Sequence, residues 1–330
     1  MADAQRAKIV GIGAALPQKV LTNADFEKFI ETSDEWITQR TGIKERRVAS
    51  EGETTATLAV EASRVALKNA GFEPTDLDLI ICCTVTPEMP FPATACFVQA
   101  QLGATGVPAF DIIAACSGFL YGLTTACKYI ETGMYRRILV IGADTLSRVT
   151  DYTDRGSCIL FGDGAGAVVL EATTEPNKGV IYNVMHADGT GWDFIHVPGG
   201  GSRTPATHKS VDDGMHFVKM RGRDVYKFAV EKMQWLLGDC MSKCGLTTDD
   251  VAMVIPHQVN VRIIASATEK YNFPLEKVYM NIERFGNTSA ASIPVALDEA
   301  WRLGRIKTGD TIMLVAFGAG LTWAGSVIKL

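Results

Sequence analysis

The chain contains the same pattern twice. AVEASRVALKNAGFEPTDLDLIICCTVTP, starting at Ala59, and AVEKMQWLLGDCMSKCGLTTDDVAMVIPHQ, starting at Ala229, share an amphipathic helix, a glycine stop, an acidic turn and an apolar strand. Aligning Asp78 with Asp250 sets a shift of 172 residues (250 − 78). That shift carries Cys116 to position 288, inside GNTSAAS (286–292). Beyond it a helix over 293–303 precedes a strand over 311–316, as 117–130 precedes 138–141. The glycine-rich tails correspond as well, FGDGAGAVVL from Phe161 and FGAGLTWAGSVIKL from Phe317. Self-similarity at a fixed offset dictates architecture, and an offset this long excludes a solenoid. It predicts an α/β protein of two similar halves, 1-175 and 176-330, packed about a pseudo-two-fold axis. Strands alternating with helices favour a mostly parallel sheet in each half. Ligands of such sheets gather at the carboxyl ends of the strands, so equivalent turns around Cys116 and Asn287 should face one another across one site.

Cys116 lies where an apolar run (Phe110, Ile112, Ile113) breaks into Ala114, Ala115, Cys116, Ser117 and Gly118. A helical pattern follows, with Phe119, Leu123, Ala126, Cys127 and Ile130 at steps of three and four and Gly133 as a stop. A cysteine at a strand-to-helix turn has the positive end of a helix dipole beneath it, which is expected to lower its pKa, and its small neighbours should leave the sulfur accessible. The alternative is an inert buried thiol, the commoner fate of free cysteine. His257 ends an apolar strand over 251–255 and belongs to the same unit as Asn287. Cys116, His257 and Asn287 therefore form a candidate catalytic set, and His186, His196, His208 and His216 have no comparable context.

With 47% hydrophobic and 21% charged residues among 330, the chain can bury a substantial core. No apolar run is long enough for a membrane span, and the first residues lack the pattern of a secretory signal, which together suggest a cytoplasmic protein. The eight cysteines have no framework spacing and read as reduced thiols, and neither Cys82 with Cys83 nor Cys240 with Cys244 makes a metal site. A net charge of −5 argues against general nucleic-acid binding. Against this acidic background Lys219, Arg221, Arg223, Lys227, Arg262 and Lys270 concentrate positive charge, which by default is a solvated face. GDGAG (162–166) lacks the lysine and spacing of a phosphate loop and reads as close backbone packing.

AACSGF, RGSCILFGDGAGA, PHQVN, GNTSAAS and FGAGLTWAG, in this order and spacing, together with WITQRTGIKER near the front, resemble the β-ketoacyl-[acyl-carrier-protein] synthase III family, the initiating condensing enzymes of bacterial fatty acid synthesis. The resemblance covers nearly the whole chain. It implies the thiolase-like fold, layered α-β-α-β-α, and a two-step reaction. An acyl group, expected to be acetyl, moves from CoA to Cys116, and malonyl-acyl carrier protein then loses CO2 and condenses with it. By this resemblance His257 and Asn287 serve the decarboxylation, and the backbone amides of Cys116 and Ala319 form an oxyanion hole. Ala319 stands where relatives often have glycine.

The resemblance further implies that Trp36, Arg40 and Arg155 hold the adenine and phosphates of CoA, with Asn260 along the pantetheine arm. Phe91, with Phe194 and Ile195, would shape a short acyl pocket. Arg221, Lys227 and Arg262 would dock the acidic acyl carrier protein. The family implies a homodimer, in which Phe91 could reach the partner's pocket, and no metal or other cofactor. Two rival readings stay open: a polyketide or quinolone-type starter synthase with the same Cys/His/Asn set, and a non-catalytic nucleotide- or carrier-binding module. A binding module would need none of the three catalytic candidates.

Overall fold

The structure, a computed structural model, describes residues 5–330. Its first sheet runs in the order Arg6–Ala15, Asp163–Thr173, Arg137–Thr145, Leu79–Cys83 and Ala109–Ile112. The second runs Gly179–Ala187, Thr322–Lys329, Thr311–Gly318 and Met253–Pro256. The two orders match strand for strand. Where the first sheet has its fifth strand, the second has only a parallel bridge between Val254 and Val278. The sheets are mixed rather than mostly parallel. In each, the two strands farthest from the bridge or fifth strand pair antiparallel. The glycine-rich tails cause this, because each returns its chain directly beside the preceding strand with no crossover helix between them.

Helices Gly118–Glu131 and Ser292–Arg302 lie between the sheets and share one core with both. Phe119, Leu120 and Leu123 from the first helix and Ile293, Ala296 and Leu297 from the second pack there against Ile81 and Ile138 of one sheet and Ile255 and Leu314 of the other. Burying each of the larger side chains stabilises the fold by roughly 1.5–3 kcal/mol. The outer face of the first sheet is covered by Thr55–Ala70 and Thr94–Leu102, and that of the second by Gly222–Cys244 and Val261–Glu269. The result is the α-β-α-β-α layering. Among the described residues no helix is long and apolar enough to cross a membrane.

Matching hydrogen bonds correct the offset between the halves. Asp78 N donates to Arg137 O, and Ala252 N to Thr311 O. Glu73 N is capped by the Asp76 carboxylate, and Thr247 N by that of Asp250. Both pairs give 174 residues (252 − 78; 250 − 76), so Asp250 corresponds to Asp76 and not to Asp78. Cys116 is therefore the twin of Ala290 (116 + 174), and not of residue 288. The backbone agrees: Ala115 and Ser289, one step before each, are both left-handed, at φ 47° and 50°. The GDGAG strand packs closely on the central helix. A Cβ on Gly166 would stand 2.7 Å from Pro294 Cβ and 2.8 Å from Val295 N, so this run serves backbone contact, as expected from its sequence.

Candidate active site

Cys116 sits in the short turn Ala115–Ser117, between the strand Ala109–Ile112 and the central helix Gly118–Glu131. Its other wall is the end of the second sheet. A Cβ on Gly318 would lie 2.8 Å from Cys116 N, 2.9 Å from Ala114 O and 3.0 Å from Ser117 N, so only glycine lets the two backbones meet here. Thr322 Oγ1 donates to Ala114 O (3.1 Å) or Ala319 O (3.2 Å) and shares a 2.7 Å hydrogen bond with Ser117 Oγ, tying the nucleophile turn to the Ala319 turn. Ala319 is not left-handed, and Gly320 takes the unusual φ of 132° instead. Alanine at 319 is therefore unstrained and its backbone is free to act as glycine's would.

His257 follows the strand Met253–Pro256, and its amide donates to Val315 O at 2.8 Å. The ring is fully buried, stands edge-on to Phe317 at 5.6 Å and contacts Ser292 Oγ through Nδ1 at 2.7 Å. Nε2 is buried without a partner. Burial drives the His257 pKa down to about 3, so the imidazole is neutral. Asn287 is fixed at both backbone ends, its amide donating to Leu160 O (2.8 Å) and its carbonyl accepting from Gly162 N (3.0 Å). Its Oδ1 accepts from Ser289 N at 2.8 Å, which leaves Nδ2 as the end free to meet a further acceptor.

These three residues meet on one platform, the turn Ser289–Ala291 and the first residue of the helix after it. Cys116 adjoins the Ser289 hydroxyl, Asn287 is oriented by the Ser289 amide, and His257 is held by Ser292. Asp144 pins the platform to the first half. Its Oδ1 accepts from Val85 N, Thr86 N and the hydroxyls of Thr84 and Thr86, and its Oδ2 accepts from Ala290 N at 3.2 Å. Burial raises the Asp144 pKa despite these bonds. Sequence reasoning missed Ser289, Ser292 and Asp144. The two serines lie inside GNTSAAS, but only tertiary contact reveals what they touch.

The thiol differs from the expectation. Burial pushes Cys116 up to about 12, with the Asp144 charge adding to the rise and the neighbouring Ser289 hydroxyl and its own amide opposing it. Desolvation outweighs the helix terminus, and the resting residue is a thiol. All eight cysteines are unpaired, and no cluster able to hold a metal ion occurs among the described residues.

Around this centre the remaining candidates fall into distinct groups. Trp36 and Arg40 lie on the helix Asp34–Thr41, and the guanidinium carbons of Arg40 and Arg155 stand 4.6 Å and 4.8 Å from the centre of the Trp36 ring. Asn260 links this group to the His257 loop. Its Nδ2 donates to Arg40 O (2.9 Å) while its Oδ1 caps Val261–Glu269 by accepting from Arg262 N (2.8 Å). Phe194 packs under Arg221, and Ile195 pairs with Met220 in a small two-stranded antiparallel sheet. Phe91 does not line a pocket with them. It is 83% exposed, on the loop before helix Thr94–Leu102, whose first amides, of Thr94 and Ala95, donate to the Asp111 carboxylate of the edge strand. Arg221 is neutralised by Asp193 (3.1 Å) and Asp224 (2.7 Å). Lys227 and Arg262 are exposed on packed neighbouring helices and make no ion pair among the described residues.

Comparison with known proteins agrees with this geometry. Two family models match, 3-oxoacyl-[acyl-carrier-protein (ACP)] synthase III over residues 110–189 and its C-terminal counterpart over residues 241–330. The β-ketoacyl-[acyl-carrier-protein] synthase III of Caldanaerobacter subterraneus subsp. tengcongensis is 54% identical over 329 residues, spanning 100% of this chain and 99% of that one. The crystal structure of 3-oxoacyl-[acyl-carrier-protein] synthase III from Aquifex aeolicus VF5 superposes with a TM-score of 0.91 at 48% identity, covering 98% of this chain and 100% of that chain. The priming β-ketosynthase of the R1128 polyketide biosynthetic pathway superposes equally well, TM-score 0.91, but at 33% identity, over 100% of this chain and 98% of that chain. This chain belongs to the β-ketoacyl-[acyl-carrier-protein] synthase III family.

Proposed function

We propose that the protein catalyses the initiating condensation of fatty acid synthesis, with Cys116, His257 and Asn287 as its catalytic residues. The observation that carries this reading is the convergence of a thiol, a neutral imidazole with a buried unpartnered Nε2 and an amide with a free Nδ2 on one turn. In the first half-reaction Cys116 Sγ attacks the thioester carbonyl of an acyl-CoA, the bond to the CoA sulfur breaks, and the proton of Cys116 ends on that sulfur. One thioester replaces another, so the exchange needs no strong base. The amides of Cys116 and Ala319 would hold the tetrahedral oxygen. In the second half-reaction malonyl-acyl carrier protein loses CO2, and its enolate carbon attacks the acyl carbonyl. The carbonyl–Sγ bond then breaks, releasing 3-oxoacyl-acyl carrier protein, and the departing thiolate takes up a proton from solvent to restore the thiol. His257 Nε2 and Asn287 Nδ2 would donate to the enolate oxygen, and a donor of this kind is typically worth roughly 2.7–4 kcal/mol. No step requires a metal or redox cofactor.

Trp36, Arg40 and Arg155 suit the adenine and phosphates of CoA, the indole as a stacking surface and the guanidiniums as phosphate partners. Asn260 holds Arg40 in this set through its backbone as well as bordering the path to His257. Lys227 and Arg262 are the free charges for an acidic carrier protein, and Arg221 supports the surface through Asp193 and Phe194. The open edge strand Ala109–Ile112, flanked by Ile113 at 74% and Phe91 at 83% exposure, suits a homodimer in which Phe91 enters the partner's acyl pocket beside Phe194 and Ile195. CoA and carrier-protein substrates make the cytoplasm the expected compartment.

The test is a two-stage labelling. Purified protein is incubated with radiolabelled acetyl-CoA and then chased with malonyl-acyl carrier protein. Label should reside on Cys116, be absent from Cys116→Ser, and move into acetoacetyl-acyl carrier protein. Asn287→Ala should load label and fail to chase it. Loading only of longer or branched acyl-CoAs would move the primer assignment towards a polyketide-type starter. Absence of any loading would refute the catalytic reading.

A further inference from the structure

Ser292 is the first residue of the central helix Ser292–Arg302, and its hydroxyl lies 2.7 Å from His257 Nδ1 in a fully buried setting. Two tautomers of neutral imidazole could make this contact, and they differ at the other nitrogen. If Nδ1–H donated to Ser292, the serine would need a second acceptor for its own hydrogen. Among the described residues Ser292 Oγ makes no other hydrogen bond, and buried hydroxyls rarely leave a hydrogen unused. The remaining arrangement has the hydroxyl donating into the Nδ1 lone pair, which places the single ring hydrogen on Nε2. Nε2 is the buried nitrogen that no protein group meets. Phe317, whose ring stands at a steep angle to the imidazole at 5.6 Å, is apolar and offers no competing acceptor.

We infer that Ser292 is a positioning residue, setting the tautomer of His257 so that Nε2–H points its hydrogen bond at the thioester oxygen during decarboxylation. The inference rests on the proposed role of His257. Ser292 touches neither substrate nor sulfur. It acts through the imidazole, and the helix start fixes it because its backbone lies on the same platform that orients Asn287.

The test uses full-length protein labelled with ¹⁵N-histidine, as wild type, Ser292→Ala and Ser292→Thr, with nitrogen–proton couplings read for His257. Acetyl-CoA loading and malonyl-acyl carrier protein decarboxylation are measured separately on the same samples. Wild type and Ser292→Thr should carry the hydrogen on Nε2. Ser292→Ala should gain an Nδ1–H population and lose about tenfold in decarboxylation kcat, the size expected from one net hydrogen bond. Its KM for the malonyl carrier and its loading rate should stay within about twofold, because neither depends on the tautomer. Threonine should restore the rate. An Nδ1–H signal in the wild type, an unchanged Ser292→Ala spectrum, or equal losses in loading and decarboxylation would each overturn the assignment. His257→Ala with full decarboxylation would instead refute the proposed role of His257, while the wild-type spectrum would still decide whether Ser292 sets the tautomer.

Discussion

The buried neutral state of His257 makes folding stability depend on pH in a way that one substitution can isolate. In the folded chain its pKa is about 3 against an ordinary value of 6.5, and desolvation is the cause. Between these values the unfolded chain binds a proton at this position and the folded chain does not, so stability rises with pH across the window and is lost as pH falls through it. From pH 7 to pH 5 the unfolded state gains about 2 kcal/mol from protonating an unperturbed histidine, while the folded state gains almost nothing. Urea unfolding at both pH values, for wild type and His257→Gln at one fixed protein concentration, reads this directly. Every other group is common to the two proteins, so its contribution cancels in the comparison. The drop in unfolding free energy from pH 7 to pH 5 should be larger in the wild type by about 2 kcal/mol. Equal pH dependence in the two proteins would refute the argument, because it would mean that His257 is protonated in the fold or that the folded state is already open to solvent there.

Gly318→Ala should cut acetyl-CoA loading sharply and destabilise the fold by about 1–3 kcal/mol, since its methyl would meet three backbone atoms of the Ala114–Ser117 segment within 3.0 Å; loading kinetics and urea midpoints test both effects. Asp144→Asn keeps the shape but turns one acceptor towards Ala290 N into a donor, so it should cost about 1–3 kcal/mol and slow both half-reactions together. Unaltered stability would show that the platform does not depend on this bond. Arg262→Glu should raise KM for the malonyl carrier about three- to tenfold through lost electrostatic complementarity and leave transacylation from acetyl-CoA unchanged; parallel loss of both would place Arg262 outside the docking surface.

How much could be read in advance depended on which interactions each feature needs. The duplication was legible because helix, glycine stop and apolar strand are local patterns, and it led directly to the two-fold layering. Its register was not legible, because Asp76 and Asp78 both precede the strand. Only the hydrogen bond from Glu73 N to Asp76 and its twin from Thr247 N to Asp250 decide between them. The parallel sheets were overstated because alternation of strands and helices says nothing about the tight return at Ala319. Cys116, His257 and Asn287 each adjoin a recognisable local element, which is why the sequence alone offers them as candidates. Asp144 and Ser292 lie inside a strand and a helix and are revealed only by the partners that the fold brings to them. The raised pKa of Cys116 escaped for a related reason: the helix terminus is a local feature, but the burial that overrides it exists only in the assembled fold.

The corrected register also explains how a symmetric scaffold carries an asymmetric site. Cys116 and Ala290 occupy the same position after the same left-handed residue, each just before a central helix, so both turns have the geometry a nucleophile needs. Only one bears sulfur. The other bears only a methyl group, and its amide is held across the halves by the Asp144 carboxylate. The second turn therefore contributes what surrounds the nucleophile, Ser289 beside the sulfur, Asn287 before it and Ser292 behind His257. The pseudo-symmetry thus supplies two equivalent turns, of which one carries the sulfur and the other the groups that adjoin it.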